Sequence, residues 1–377
     1  IDCTGIKSGA LFLRLHMYTI VDSHEDIAYN IATFGRQYER SAYETRLLEQ
    51  GTLAPSVNGE TMLGWPEYQA GSVAIVFGTL FASPARASKA EWNTERYNNP
   101  EEAFSRYAKQ ADLYARLTDE HPDKFRLIRS AQELTSHMQT WQTRSQENPA
   151  PVGIVQLMEG AEAIRKRDDL HYWWEAGVRI IGLAWRSNLY CGGTAEPGPL
   201  TDEGINLLRG MADFGYILDI SHMDEQSVLP ALDLYPHRII ASHANASALI
   251  NGYQGNRHLS DEVIKKLVQR EGIIGIIPFN HFLDREWMDN GGRQALSLNK
   301  VVDHIDHICQ LAGDAAHVGI GTDFDGGFGL SSTPFELDSI ADLQKLVPLL
   351  EARGYGGADI EGILGLNWLH MLEYELR

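Results

Sequence analysis

Residues 216–243 read YILDISHMDEQSVLPALDLYPHRIIASH, and the reading of this stretch decides the fold. It opens with a short apolar run, Tyr216–Ser221, passes through a segment of helical period, Glu225–Leu234, and closes on a second apolar run, Arg238–Ser242. Short continuous apolar runs suit strands buried on both faces of a parallel sheet. A strand, a helix and a second strand in this order form one βαβ step. Each of the two runs is followed at once by a histidine, His222 and His243.

The same unit recurs in both directions. Further apolar runs lie at Tyr18–Ser23, Ser72–Phe81, Val152–Met158, Val178–Ala184, Ile273–Phe279 and Val318–Thr322. Helical patterning fills Ser130–Gln142, Ala161–Ala176, Asp202–Phe214, Asp261–Glu271 and Asn299–Leu311. Strand followed by helix, eight times, predicts an α/β fold of the (β/α)8 TIM-barrel kind, with an open doubly wound sheet as the alternative. The intervals after the first two runs are long. They carry helical segments at Tyr38–Gln50 and Glu101–Leu117 and read as insertions over the barrel. Ser339–Arg353 and Ala358–Tyr374 read as extra closing helices at the C-terminus. Residues 17–377 are expected to form one barrel domain. Residues 1–16, ahead of Met17, read as an upstream extension with no assigned role.

Composition narrows the function classes. The chain has 377 residues, enough to bury a large core without covalent staples. Its 32 basic and 51 acidic residues give a formal charge of −19, which repels nucleic acid and anionic membranes. The cysteines, Cys3, Cys191 and Cys309, lack metal-type spacing and are too few for a disulfide framework. No apolar run reaches the length of a bilayer span, and no lipid-anchor tail is visible. A soluble cytoplasmic protein acting on a small molecule is expected, with no nucleic-acid or membrane partner; homodimerisation is left open.

The chemistry lies in the residues just beyond each strand. In a (β/α)8 barrel, functional side chains gather at the C-terminal ends of the strands. Here those ends carry His24 and Asp26, then Glu159, His222, His243, and finally Asp323 and Asp325. His24 and Asp26 are two apart, so in extended backbone they point to one side. Imidazole and carboxylate are ligand types for zinc and similar divalent ions. A carboxylate has two oxygens, so Glu159 can bridge two ions, and a free carboxylate such as Asp323 can carry a proton. Each residue alone has a plainer reading: a surface His-x-Asp pair, a helix-starting Glu159, core histidines, an Asp323–Gly326 turn. Five strand ends with compatible residues are hard to explain by packing, and their joint placement predicts a site for two divalent metal ions, zinc foremost.

Taken in order, Asp22-x-His24-x-Asp26, Glu159-Gly160, Asp219-x-Ser221-His222, Ser242-His243, Arg257 before Ser260-Asp261-Glu262, and Gly321-Thr322-Asp323-Phe324-Asp325-Gly326 resemble the membrane (renal) dipeptidase family of zinc peptidases, which are amidohydrolase-like barrels. The resemblance runs from about Val21 to the C-terminus. It implies that His24 and Asp26 hold one zinc, that His222 and His243 hold the other, and that Glu159 bridges them. It implies Arg257 as the partner of a substrate carboxylate, where a guanidinium fork fits, and Asp323 as proton shuttle. The implied reaction is dipeptide hydrolysis, with a hydroxide between the metals attacking the peptide carbonyl.

One position departs from that pattern. After the fourth strand the family has a histidine that contacts the substrate carbonyl, and here Gly182-Leu183-Ala184-Trp185-Arg186-Ser187-Asn188 places Trp185 there. An indole N–H donates one hydrogen bond but carries no positive charge. Arg186 is adjacent, yet neighbours on a strand face opposite ways. Trp185 and Asn280 are therefore candidate substrate-binding residues, with His281, Arg285 and the segment 190–193 as weaker pocket candidates. Two alternatives stay open: another amide or lactone hydrolase on the same metals, and a non-catalytic metal-binding barrel.

Overall fold

In the computed structural model, which describes residues 17–88, 90–145 and 147–377, eight parallel strands stand in sequence order. They are β1 (Ile20–Glu25), β2 (Val73–Phe81), β3 (Val152–Glu159), β4 (Val178–Gly182), β5 (Ile217–Asp219), β6 (Ile239–Ile240), β7 (Ile274–Ile276) and β8 (Val318–Ile320). The sheet runs from β7 through β8 and β1 to β6. What closes it is a seam between β6 and β7. Ala241 bridges to Ile274, its N–H donates to Ile273 O at 2.9 Å, and Gly275 N–H donates to Ala241 O at 2.8 Å. With that seam the sheet is a barrel and the open-sheet alternative falls. A short extra strand, Phe125–Leu127, pairs with the beginning of β3.

All eight expected strands are found, and so are the main helices. Ser130, Thr201, Asp224 and Ser260 begin four of them, each side chain accepting a backbone N–H from the first turn. Gly177, Gly215 and Gly313 end helices in the left-handed conformation. The helix expected over Ala161–Ala176 is shorter, Asp168–Ala176. Gly160 turns the chain at φ +84°, and Ala161 N–H is committed to Leu183 O at 3.1 Å, beyond β4. The segment after Glu159 is thus tied to the neighbouring strand end and cannot start a helix. Tyr38–Gln50 contracts to Ala42–Leu48, capped by Ser41.

The helix expected at Glu101–Leu117 spans Pro100–Glu120 and packs against β2 rather than standing over the barrel. Tyr114 Oη donates to Thr79 O at 3.0 Å, and Tyr107 Oη donates to Glu159 O at 2.6 Å. Gln110 bonds both backbone groups of Phe81. The helix therefore props the ends of β2 and β3, where the site lies. The two closing helices are broken: Ile340–Lys345 is a 3₁₀ turn before Leu346–Arg353, and a π turn, Gly362–Leu366, precedes Asn367–Glu375. Trp368 then packs against Gly319 of β8 and Phe77 of β2, its indole N–H donating to Ile320 O at 3.1 Å. Cys191 and Cys309 are buried free thiols. Among the described residues no helix is long and apolar enough to cross a membrane. The extension at 1–16 lies outside the described residues.

Candidate metal centre

The barrel mouth gathers the expected ligands around one carboxylate. Glu159, the last residue of β3, places Oε1 3.0 Å from His222 Nε2, 3.4 Å from His243 Nε2 and 3.9 Å from His24 Nε2. His24 Nε2 is also 4.0 Å from Asp323 Oδ1. Among the described residues three overlapping groups have ligand atoms within 4.8 Å of one another: Glu159–His222–His243 and His24–Asp26–Asp323 at the mouth, and His24–Asp219–His243. The local backbone is bent to achieve this. His222, Asp323 and Asp325 have φ of 65°, 57° and 63°, a region that costs a non-glycine residue ~1–3 kcal/mol. Three such residues at the ends of β5 and β8 mark a place where geometry is held against local preference.

A layer of hydroxyls behind the ligands fixes their protonation. Ser242 Oγ donates to Asp219 Oδ2 at 2.5 Å, so it is left to accept from His243 Nδ1 at 2.9 Å and His24 Nδ1 at 3.3 Å. Thr194 Oγ1 stands 2.9 Å from His222 Nδ1 and donates to His222 O at 3.4 Å. This network assigns the proton of all three imidazoles to Nδ1 and leaves each Nε2 lone pair facing Glu159. His222 Nε2 and His243 Nε2 are only 3.0 Å apart. Two lone pairs that close repel unless a cation lies between them. Asp22 accepts from His24 N–H and Thr322 N–H, which ties β1 to β8. Asp325 is no ligand: it accepts from Tyr38 Oη, Thr61 Oγ1 and Met62 N–H and pairs with Arg36 at 3.0 Å.

Electrostatics agree with that fit. Burial holds His24 down at about 3, helped by the Arg257 charge. His222 and His243 are likewise pushed well below the usual histidine range by burial, with Arg257 and His24 respectively the next causes. The imidazoles are thus neutral and ready to ligate. The carboxyls move the other way: burial first, then Asp325, raises Asp26 to about 7. Burial and the charge on Asp26 raise Glu159 and Asp323 well above the carboxylate range. Asp26 Oδ1 is buried without a hydrogen-bond partner. Crowded carboxylates, neutral imidazoles and an orphaned oxygen are what divalent cations would satisfy, so the residues fit metal ions.

A cleft of about 430 Å³ opens over this cluster. Arg257 and Trp185 line it together with Asp26, Glu159, His222 and Asp323. Arg257 is buried, and among the described residues none of its three guanidinium nitrogens has a hydrogen-bond partner. Its position is held from behind, where Arg257 N–H donates to Tyr253 Oη at 2.5 Å and the guanidinium lies 5.4 Å from the Phe282 ring centre. Asn280 is not brought to the cleft. It is fully buried, its amide donating to Thr333 O at 3.1 Å. His281 and Arg285 are also absent from the lining, and the latter donates to Gly252 O. Sequence reasoning missed Thr194 and Ser242. Ser242, directly before His243, is the one whose position gave a signal.

Comparison with known proteins gives the family and the fold. The family model described as membrane dipeptidase (peptidase family M19) matches residues 13–375. A dipeptidase named ataJ from Aspergillus terreus is 27% identical, over 94% of this chain and 84% of that protein. A dipeptidase named tcpJ from Claviceps purpurea is 28% identical, over 70% of this chain, and the match spans 58% of that protein's length. Among solved structures, a metallopeptidase from Rhodobacter sphaeroides, crystallised with a phosphinate mimic of the dipeptide L-Ala-D-Ala, superposes with a TM-score of 0.76 at 22% identity, covering 95% of this chain and 99% of that one. The M19 dipeptidase AC also superposes with a TM-score of 0.76 at 22% identity, over 96% and 99%. These structural likenesses show the fold.

Proposed function

The chain belongs to the membrane dipeptidase family and is a metal-dependent hydrolase; from that premise we propose that it is a dipeptidase whose centre takes two zinc ions. The observation that carries this reading is Glu159 Oε1, which faces His222 and His243 at 3.0 and 3.4 Å on one side and His24 at 3.9 Å on the other. His24 and Asp26 would hold one ion, His222 and His243 the second, and Glu159 both. When bound, the ions supply Lewis-acid polarisation of the scissile carbonyl and a water acidic enough to react at neutral pH.

The remaining work falls to the side chains. Arg257 presents a guanidinium with no internal partner to the cleft, and it orients the substrate by pairing with its carboxylate. Asp323, beside His24 and lining the cleft, accepts the proton of the attacking water and returns it to the departing amine. Trp185 occupies the wall next to His222, ring centres 6.2 Å apart, where it excludes water and can give one indole hydrogen bond. Because it brings no charge, the same centre could act on another amide or a lactone. Elemental analysis together with a dipeptide panel tests the proposal. Two zinc ions per chain and chelator-sensitive dipeptide hydrolysis are expected, whereas a fully loaded protein that cleaves only N-acyl amino acids or lactones would shift the assignment to that second reading.

A further inference from the structure

The cleft has two unlike ends. Arg257 sits on the loop after β6, and the strand opposite β6 in an eight-stranded ring is β2, whose last residue is Phe81. The metal ligands stand between them, at the ends of β1, β3, β5 and β6. A small substrate with its carboxylate on Arg257 and its scissile carbonyl over Glu159 must extend its other end toward Phe81.

That end is an aromatic wall. Phe81 meets Trp185 edge-on at 5.2 Å and Tyr29 at 5.6 Å, measured between ring centres. Trp185 is held in place from its own backbone: its carbonyl accepts from Thr194 N–H at 2.9 Å, and the Arg186 guanidinium lies 5.0 Å from its ring. Gly193 packs so tightly here that a Cβ would come within 2.8 Å of the Trp185 carbonyl oxygen. Two polar side chains nearby, Ser83 and Asn93, are bonded to each other at 3.0 Å. The acidic residues of the cleft, Asp26, Glu159 and Asp323, all belong to the metal cluster. A charged side chain entering this end would shed its hydration with no charged partner among the described lining residues outside the metal cluster, whereas a large apolar one gains by burial.

We propose that Trp185, backed by Phe81 and Tyr29, is the specificity-determining wall for the residue on the amine side of the scissile bond, and that the enzyme selects a large apolar or aromatic side chain there. The inference rests on the dipeptidase reading and names the substrate class for it. The test uses zinc-loaded protein and a dipeptide series with constant C-terminal alanine and Gly, Leu, Phe, Asp or Lys before it. The Leu and Phe substrates are expected to exceed the Gly substrate in kcat/KM by on the order of tenfold to a hundredfold, with Asp and Lys at or below Gly. Trp185→Ala is expected to bring the Phe-to-Gly ratio toward one, and Trp185→Phe to keep most of it. A flat profile, or a preference for charged residues, in the native enzyme overturns the wall while leaving the dipeptidase standing. So does an unchanged ratio in Trp185→Ala. Failure of the zinc-loaded protein to cleave any dipeptide overturns the underlying reading instead. Should Trp185→Ala not fold, Trp185→Leu and the native series decide the matter.

Discussion

The Ser242 hydroxyl donates to the Asp219 carboxylate at 2.5 Å, and this one bond determines which nitrogen of His24 and His243, the two histidines it also touches, carries a proton. With its hydrogen spent on Asp219, Ser242 can only accept from His24 and His243, and their Nε2 atoms carry no proton; that of His24 has the Thr79 hydroxyl at 3.3 Å. Ser242→Ala should therefore weaken zinc binding by about 10–100-fold, the usual effect of losing an outer partner of a ligand. Asp219 keeps two backbone N–H donors, from Ser221 and Ser242, so folding should suffer by no more than ~1–3 kcal/mol. Competition with a chromophoric chelator and denaturant unfolding measure the two effects separately.

Thr194 does the same for His222 alone. Thr194→Val keeps the shape and removes the acceptor of Nδ1, so the ion on the His222–His243 side should weaken while the other is retained. Titration with zinc should then show one tight and one weakened equivalent, and Thr194→Ser should restore both. Equal loss at both sites would contradict the assignment.

Zinc affinity should rise with pH up to neutrality. Asp26 is raised from 3.8 to about 7, so below pH 7 the metal-free protein holds a proton there that an ion must displace. That raised pKa stabilises the metal-free fold below pH 3.8 and the contribution is lost as the pH climbs through about 7, which is where ion binding takes over. His24, lowered from 6.5 to about 3, acts in the opposite sense on stability but has no proton to release above pH 3. Affinity should thus fall by up to about tenfold per pH unit below 7 for each proton displaced, and calorimetry in buffers of different ionisation enthalpy should detect proton release at about pH 6.

Asp323→Asn should separate chemistry from metal binding. Both zinc ions should remain, with kcat lower by about 10²–10⁴-fold, the span of general acid–base contributions. Arg257→Met should act mainly on substrate capture, raising KM for dipeptides by about 10–150-fold, the equivalent of a charged hydrogen bond worth ~1.5–3 kcal/mol. Steady-state kinetics with metal analysis on the same samples distinguish the two patterns.

Asp325 should matter for stability. It is fully buried and balances Arg36 while accepting from Tyr38, Thr61 and Met62. Asp325→Ala leaves the buried Arg36 paired with Glu49 but removes its second carboxylate and the acceptor of Tyr38, Thr61 and Met62, and should cost ~3 kcal/mol, read as a fall in the denaturation midpoint.

The legibility of each feature in the sequence depends on the type of interaction behind it. Strands such as Tyr216–Ser221 and Arg238–Ser242 are legible because burial on both faces demands an unbroken apolar run. His24, Glu159, His222, His243 and Asp323 are legible because a barrel turns the end of every strand to the same face. Contacts between distant segments leave no such trace. Nothing at residue 194 says that its hydroxyl will meet an imidazole from 222, and Ala161 gives no sign that its N–H belongs to Leu183. Asn280 looks like a pocket residue by its place after β7, but the chain turns its side chain toward Thr333. The role of Arg257 comes from family resemblance, and the structure adds the physical reason: a buried guanidinium with no partner of its own.

The barrel seam governs how the molecule loosens. β6 is two residues long, its ladder to β7 is one bridge at Ala241 and Ile274 followed by an Ala244 N–H to Gly275 O bond at 2.8 Å, and His243 lies between those two links. An ion held by His243, as proposed above, would therefore also clamp the joint at which the cylinder would unzip. The amides of Ala241 and Gly275, sheltered while the clamp holds, become a clock for it: their deuterium uptake should quicken on chelation well before the remote helix Asp202–Phe214 responds.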